Sequence, residues 1–290
     1  NQNISSSNYP FAEQLAMDVY SVNGVLVPIA YRNTLANEDI TWETSEMFDV
    51  GFDAALWNKL TLTADFYVKN THGILMTLNI PLSAGLNAPY QNAGEVRNIG
   101  WELSAGYHDS WGDFRLGIDA NVSDVLNKIT DMKGQYESRS GGIIRNQEGY
   151  SINSIYGLNC IGMARTQEEA DWVNLNLRQY GKDIVPGDLI YADTDGDGAV
   201  TDADMTVIGS TVPRYTYGAT LSFGWRGLDF SAFFQGVGKV DSYLSSYFVQ
   251  PCINGGTFRK EHLDRWTPET PGGFYPRMSY RSEHNRKTSS

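Results

Sequence analysis

At 290 residues the chain is long enough for one large β domain or two smaller ones. A formal net charge of −12 excludes the basic face that a nucleic-acid partner needs and suits a surface that holds divalent cations. No run is long enough for a transmembrane helix, and no charged-then-apolar leader is read at the start.

Aromatic residues at 12%, with 17 Tyr and 29 Gly, point to β structure. Strands that cross a bilayer alternate apolar and polar side chains, which keeps their mean hydropathy low, so period two is the informative signal. It first appears at Phe48, Val50, Phe52, Ala54 and Leu56, set against Met47, Asp49, Gly51, Asp53 and Ala55. After Trp57-Asn58-Lys59 it resumes as Leu60, Leu62, Ala64, Phe66 and Val68 against Thr61, Thr63, Asp65, Tyr67 and Lys69. This predicts a hairpin with a short turn.

A second hairpin is predicted from Trp101, Leu103, Ala105 and Tyr107, through Asp109-Ser110-Trp111-Gly112, to Phe114, Leu116, Ile118, Ala120 and Val122. A third runs from Tyr215, Tyr217, Ala219, Leu221, Phe223 and Trp225, through Arg226-Gly227, to Leu228, Phe230, Ala232 and Phe234. Each strand has roughly nine to twelve residues, the length a tilted strand needs to span a bilayer. Trp57, Trp111 and Trp225 lie in or beside the three turns, as an interfacial aromatic girdle requires. The predicted fold class is all-β: an antiparallel transmembrane β-barrel fragment with long extracellular loops and one short helix.

Tight turns belong on the periplasmic side of such barrels, so residues 70–94, about 126–212 and those after about 238 are expected on the extracellular side. Residues 126–212 read as one folded excursion. Ser154–Met163 would need a partner to serve as a further crossing. The capping box of Thr166 and Glu169 opens a helix predicted from Gln167 to about Tyr180.

The excursion ends in a pattern with its own chemistry. Asp193, Asp195, Asp197 and Asp204 stand at positions 1, 3, 5 and 12 of a calcium loop, with Gly198 at 6, the Ala199 carbonyl at 7, Val200 at the apolar 8 and Thr201 at 9. Asp204 replaces the usual Glu, and its shorter side chain is expected either to bind through one oxygen or to pull the loop tighter. Asp-Gly pairs are also ordinary turn chemistry, but four carboxylates in register predict a structural calcium ion. The expected metal residues are Asp193, Asp195, Asp197, Ala199, Thr201 and Asp204.

Several stretches, in order, resemble the SusC/RagA family of TonB-dependent outer-membrane transporters. They are Leu35-Ala36-Asn37-Glu38-Asp39-Ile40-Thr41-Trp42-Glu43, Asn92-Ala93-Gly94-Glu95-Val96-Arg97-Asn98-Ile99-Gly100-Trp101-Glu102, and Gly187-Asp188-Leu189-Ile190-Tyr191. Val207-Ile208-Gly209, Phe233-Phe234-Gln235-Gly236 and Arg265-Trp266-Thr267-Pro268-Glu269 complete the series. The resemblance implies a 22-stranded barrel in the cell outer membrane, bounded by membrane lipid and energised by TonB through a plug domain. It further implies a SusD-like lipoprotein cap and an oligosaccharide or peptide substrate. No plug is read in this chain, and it ends in Arg286-Lys287-Thr288-Ser289-Ser290 without an amphipathic closing strand, which implies that residues 1–290 are part of a larger receptor barrel.

No catalytic set is expected. His72, His108, His262 and His284 are scattered, and solvated or lumen-lining places are predicted for them. Glu102, Asp119 and Asp229 fall on the polar face, where hydration inside the barrel is the expected role. Tyr90, Tyr136, Tyr150, Tyr156, Tyr243, Tyr247 and Phe248 are expected to pack loops rather than stack on sugars. Cys160 and Cys252 leave one bridge or two thiols open. The alternative reading is a calcium-stabilised secreted β adhesin or glycan-binding module, in which Phe48, Val50, Phe52, Leu60, Leu62, Phe66 and Phe230 would pack against a second sheet.

Overall fold

The computed structural model describes residues 11–12, 14–77, 80–244 and 258–278. Cys252, His284, Tyr247, Phe248 and residues 286–290, all raised above, lie outside the described residues. The strands are β1 (Gln14–Val22), β2 (Val25–Thr34), β3 (Thr44–Leu56), β4 (Leu60–Thr77), β5 (Tyr90–Trp111), β6 (Phe114–Asp131), β7 (Tyr136–Arg139), β8 (Ile144–Gln147), β9 (Ser154–Gly157) and β10 (Cys160–Met163). After helix α1 (Gln167–Asn176) come β11 (Arg178–Gln179), β12 (Leu189–Tyr191), β13 (Ala199–Val200), β14 (Thr206–Ser210), β15 (Arg214–Trp225) and β16 (Leu228–Lys239). Two compact units emerge: Asn1–Glu137 with Asn146–Ile152 and Val212–Val240, and Ser138–Arg145 with Asn153–Thr211 and Asp241–Ser290.

The first unit is built on a six-stranded antiparallel sheet in the order β16-β15-β6-β5-β4-β3. Its six strands are those the alternation predicts, joined by the three predicted tight turns. Leu56 faces Leu60, Trp111 faces Phe114, and Trp225 faces Leu228 across them. Arg226 and Gly227 both have positive φ, the two-residue turn whose twist matches that of the flanking strands.

Register then puts all the apolar sets on one face. Val50 pairs with Phe66, and Phe66 with Trp101. Leu103 pairs with Val122, Val122 with Tyr217, and Phe223 with both Leu116 and Phe230. The opposite face carries Asp53, Thr63, Ser104, Asn121 and Gln235 in one row, with Thr63 Oγ1 donating to Asp53 Oδ1 at 2.7 Å. Gly100 belongs to this face because a Cβ there would lie 2.4 Å from the Tyr67 ring.

Phe48, Val50, Phe52, Phe66, Leu103, Phe230 and Phe234 are exposed, so no described residue of this unit covers the apolar face. A sandwich would interdigitate them with a second sheet about 10 Å away. A sheet bare on its apolar face and polar on the other matches a membrane-barrel wall.

Three strands outrun their expected lengths. β4 continues to Thr77, β5 begins at Tyr90 and β6 continues to Asp131, so much of 70–94 and the start of 126–212 belong to the ladder, not to loops. The backbone pairing persists where the apolar alternation ends, through a bulge at Gly73, whose φ is +67°. A further hairpin, β1–β2, turns at Asn23-Gly24 with φ of +51° and +81°, and was not among the predicted strands. Leu15, Met17, Val19, Tyr20 and Leu26 on it are exposed.

The second unit has a conventional interior. Ala164, Ala170, Val173 and Ile184 form one buried cluster, and Leu158, Tyr191 and Val200 another. Helix α1 has the predicted capping box but ends at Asn176, not near Tyr180, because Leu177 leaves helical φ/ψ and β11 follows. The Ser154–Met163 stretch is split between β9 and β10, each of four residues, far short of a crossing. Strand β9 lies between β14 and β8.

Candidate functional site

The Asp loop is suspended between β12 and β13. Tyr191, fully buried at the loop's entry, donates its N–H to Gln179 Oε1 at 2.7 Å, and Gln179 Nε2 returns a bond to the Leu189 carbonyl at 2.9 Å. At the exit, Ala199 and Val200 pair in parallel with Arg178 and Gln179. Val200 has no exposed surface, so the predicted apolar eighth position anchors the loop in the core.

Within the loop the carboxylates of Asp193, Asp195 and Asp197 converge, with one oxygen from each lying within 4.8 Å of the others. Backbone N–H groups orient them: Gly196 and Gly198 donate to the two oxygens of Asp193 at 2.7 and 2.9 Å, Asp197 to Asp195 at 3.1 Å, and Ala199 to Asp197 at 2.8 Å. Gly196 and Gly198, at φ of +79° and +87°, permit this winding. For Asp195 the bond from the Asp197 amide lowers the pKa, yet desolvation and the charges of Asp197, Asp204 and Asp193 outweigh it, so the net shift is upward. The trio is a site where negative charge accumulates, and among the described residues no salt bridge to a protein cation balances it.

Asp204 is not part of that trio. It is fully buried; one oxygen accepts from Thr194 N–H at 2.7 Å and more weakly from Asp195 N–H at 3.4 Å, the other from Thr201 N–H at 2.8 Å. Burial pushes its carboxyl pKa up, and the bonds from Thr201, Thr194 and Asp195 overcome that, so the net shift is downward. The shorter Asp side chain at position 12 thus ties the ends of the loop together. Thr201 Oγ1 accepts from Ala203 N–H at 3.1 Å and caps the following turn.

The polar face of the sheet is the other candidate region. Asp229 accepts from Arg115 at 2.9 Å and Asp119 from His108 at 2.9 Å, so two of the three acids expected to be merely hydrated are paired. His262 departs from expectation. It is buried, accepts from Arg259 N–H at 3.2 Å through Nδ1 and meets Tyr275 edge-on, packing the segment after residue 258. Among the described residues Cys160 has no disulfide partner, and Cys252 lies outside them.

The sequence reading did not single out Arg277. Its guanidinium grips buried Asp188 with bonds of 2.7 and 3.1 Å, its N–H bonds the Gly187 carbonyl at 2.8 Å, and a Cβ at Gly187 would strike Arg277 and Trp266 at 2.6 Å. A single Arg outside the quoted motifs carries no local sequence signal.

A single-layer antiparallel sheet, apolar on its bare face and polar on the other, with Trp-flanked tight turns, defines the wall of a membrane β-barrel. The comparisons place it further. The family description "TonB dependent receptor-like, beta-barrel" matches residues 5–251. The chain belongs to that family, whose members are outer-membrane receptors and transporters and not enzymes.

TonB-dependent receptor P26 of Formosa agariphila is 30% identical over 299 aligned residues, covering 93% of this chain and 29% of the relative. TonB-dependent receptor P3 of the same organism is 28% identical over 276 residues, covering 90% and 26%. The chain therefore spans less than a third of the length of these curated relatives. The structure of the RagAB peptide transporter shares the fold with a TM-score of 0.71 at 22% identity, over 96% of this chain and 30% of that one. Its open-open state gives 0.72 at the same identity and coverage.

Proposed function

We propose that the complete receptor is a SusC/RagA-type importer of peptides or oligosaccharides. It is energised by TonB through a plug and capped by a SusD-like lipoprotein. The observation that favours this branch is where most of its motifs fall, at junctions that tie distant segments. Thr41 and Asn92 exchange bonds of 2.8 and 2.9 Å, and Asn92 also reaches the Gly73 carbonyl at 2.7 Å. Gly187 is covered by Trp266, and beside Gly209 the Ser210 N–H donates to Asp241 at 2.8 Å. The three tight turns face the periplasm in this reading and the long connections face outward.

Peptide is the cargo to test first, since the solved RagAB structures of the same fold are described as peptide transporters or importers. The test is native purification of the complete receptor from outer membranes. A co-purifying lipoprotein and releasable peptide or oligosaccharide are expected, whereas recovery in the aqueous fraction without detergent would remove the reading.

Calcium is the proposed occupant of the Asp loop. Asp193, Asp195 and Asp197 supply carboxylate oxygens and the Ala199 carbonyl a fourth, Thr201 acts through water, and Asp204 clamps the loop from behind. A hard divalent ion accepts such oxygen sets with water completing them. Chelation should raise protease cleavage within 186–210 while the sheet stays protected; equal cleavage with and without chelator would count against the ion.

A further inference from the structure

On the side away from the tight turns the apolar row is interrupted by Asp124, paired with Arg214, resumes at Ile99 and Leu126, and ends in a pair of cations. Arg97 and Lys128 face each other across β5 and β6, one outward-facing step beyond the pair Ile99 and Leu126. Both are exposed. Fourteen residues separate Phe114, in the aromatic girdle, from Lys128. At about 3.3 Å per residue and a tilt of about 35–45°, that is roughly 33–38 Å along the barrel axis. The apolar band of such barrels is about 25 Å tall, so the two cations stand just above it, at headgroup level.

Like charges directly opposite on neighbouring strands destabilise a sheet. No carboxylate among the described residues offsets this pair. The nearest acids up the ladder, Glu95 and Asp131, are engaged by His72 at 3.3 Å and by Lys133. Asn70 Oδ1 accepts from Arg97 Nε at 2.8 Å and fixes one edge of the guanidinium. A groove of about 340 Å³ runs between the cations, lined by Arg97, Lys128, Ile99, Leu126, Thr130 and Gly149. Its lining combines the two cations with aliphatic Ile99, Leu126 and Ile129, the complement of a phosphate joined to an acyl chain.

We infer that Arg97 and Lys128 hold the phosphate of an outer-leaflet lipid against the outside of the barrel. The placement in that leaflet rests on the reading that the tight turns face the periplasm. Charge-assisted bonds from a guanidinium and an ammonium converge on one phosphate, and the acyl chain lies along Ile99 and Leu126.

The complete receptor, reconstituted with phosphatidylethanolamine and trace bis-phosphorylated lipid A, tests this by native mass spectrometry of retained lipid. The double variant Arg97→Gln with Lys128→Gln should retain at least about tenfold less lipid A, and Arg97→Lys should keep most of it. Arg226→Gln, which removes a cation at a tight turn, should retain as much as the parent. If the double variant does not fold, as read by heat-modifiable gel mobility, Lys128→Gln alone should still lower retention about threefold. Equal retention by the variants, or equal retention of dephosphorylated lipid A, would overturn the inference. Displacement by equimolar inorganic phosphate would reassign the site to a free anion, and loss of lipoprotein capture with lipid unchanged would make it a protein-docking surface. Either result also overturns it. Preference for phosphatidylglycerol that still depends on both cations would overturn the leaflet and show the orientation to be inverted.

Discussion

The two units obey opposite rules of burial. In the sheet, the large apolar side chains Phe48, Phe52, Leu103 and Phe234 are exposed, and the polar residues pair across the other face. In the Asp-loop unit, Leu158, Tyr191, Val200 and Ile184 are enclosed and the charges stay at the periphery or are bonded. The sheet is held by its hydrogen-bond ladder and takes its hydrophobic stabilisation from lipid; the second unit takes it from its own core. One chain thus carries a lipid-dependent fold and a water-dependent fold, and substitutions should separate them.

The widest separation is expected at Leu158, which is fully buried. Leu158→Ala should destabilise its unit by about 2–5 kcal/mol. Hydrogen exchange of the intact receptor should speed up in residues 153–211 and stay unchanged in β3–β6. Next, Leu103→Arg puts a charge on the lipid face and should cost about 2–4 kcal/mol in vesicle folding assays. Its neighbour Ser104→Arg, on the polar face, should stay within about 0.5 kcal/mol. Equal costs would erase the distinction between the faces. A smaller effect is expected from Thr166→Ala, which removes the helix cap for about 1 kcal/mol and should fray α1 without touching the sheet.

The smallest effect is a pH response confined to the Asp loop. Asp204, with its pKa lowered, contributes stability that is present above the ordinary carboxylate value and lost as pH falls through its folded value. Asp195, with its pKa raised, acts in the opposite sense: its contribution is present in acid and lost as pH rises through its folded value. In chelator, protection of 186–210 should therefore rise modestly as pH falls through the raised value of Asp195 towards the ordinary carboxylate value, then fall as pH drops through the depressed value of Asp204. Saturating calcium should abolish the rise, and a rise that persists in calcium would argue against the trio as its ligands.

Much of the wall was legible because one face is lipid and the other water. That contrast writes a period of two into Phe48–Leu56, Leu60–Val68 and Leu228–Phe234, and register carries it across all six strands. Beyond the apolar band both faces are wet and the signal fades, which is why Asn70–Thr77 and the stretch after Leu126 read as loop although the ladder continues. The β1–β2 hairpin did carry a signal in Asn23-Gly24, flanked by apolar residues, but its two strands are apolar on both faces and do not alternate cleanly. In the second unit the strands span two to five residues, too few for any period, and tertiary pairing sets them. The Asp trio was legible from spacing alone. For Asp204 the spacing left one-oxygen binding and a tightened loop both open, because the outcome depends on which way a short side chain turns.

The central claim is that the sheet separates lipid from water. It is tested most directly by placing single spin-labelled cysteines at positions 99–106 along β5 in the membrane-embedded complete receptor. Collision with oxygen, which concentrates in lipid, should peak at Ile99, Trp101, Leu103 and Ala105. Collision with a water-soluble nickel chelate should peak at Gly100, Glu102, Ser104 and Gly106. The same accessibility at both sets of positions, or protection of the Leu103 set from lipid and water alike, would contradict the account.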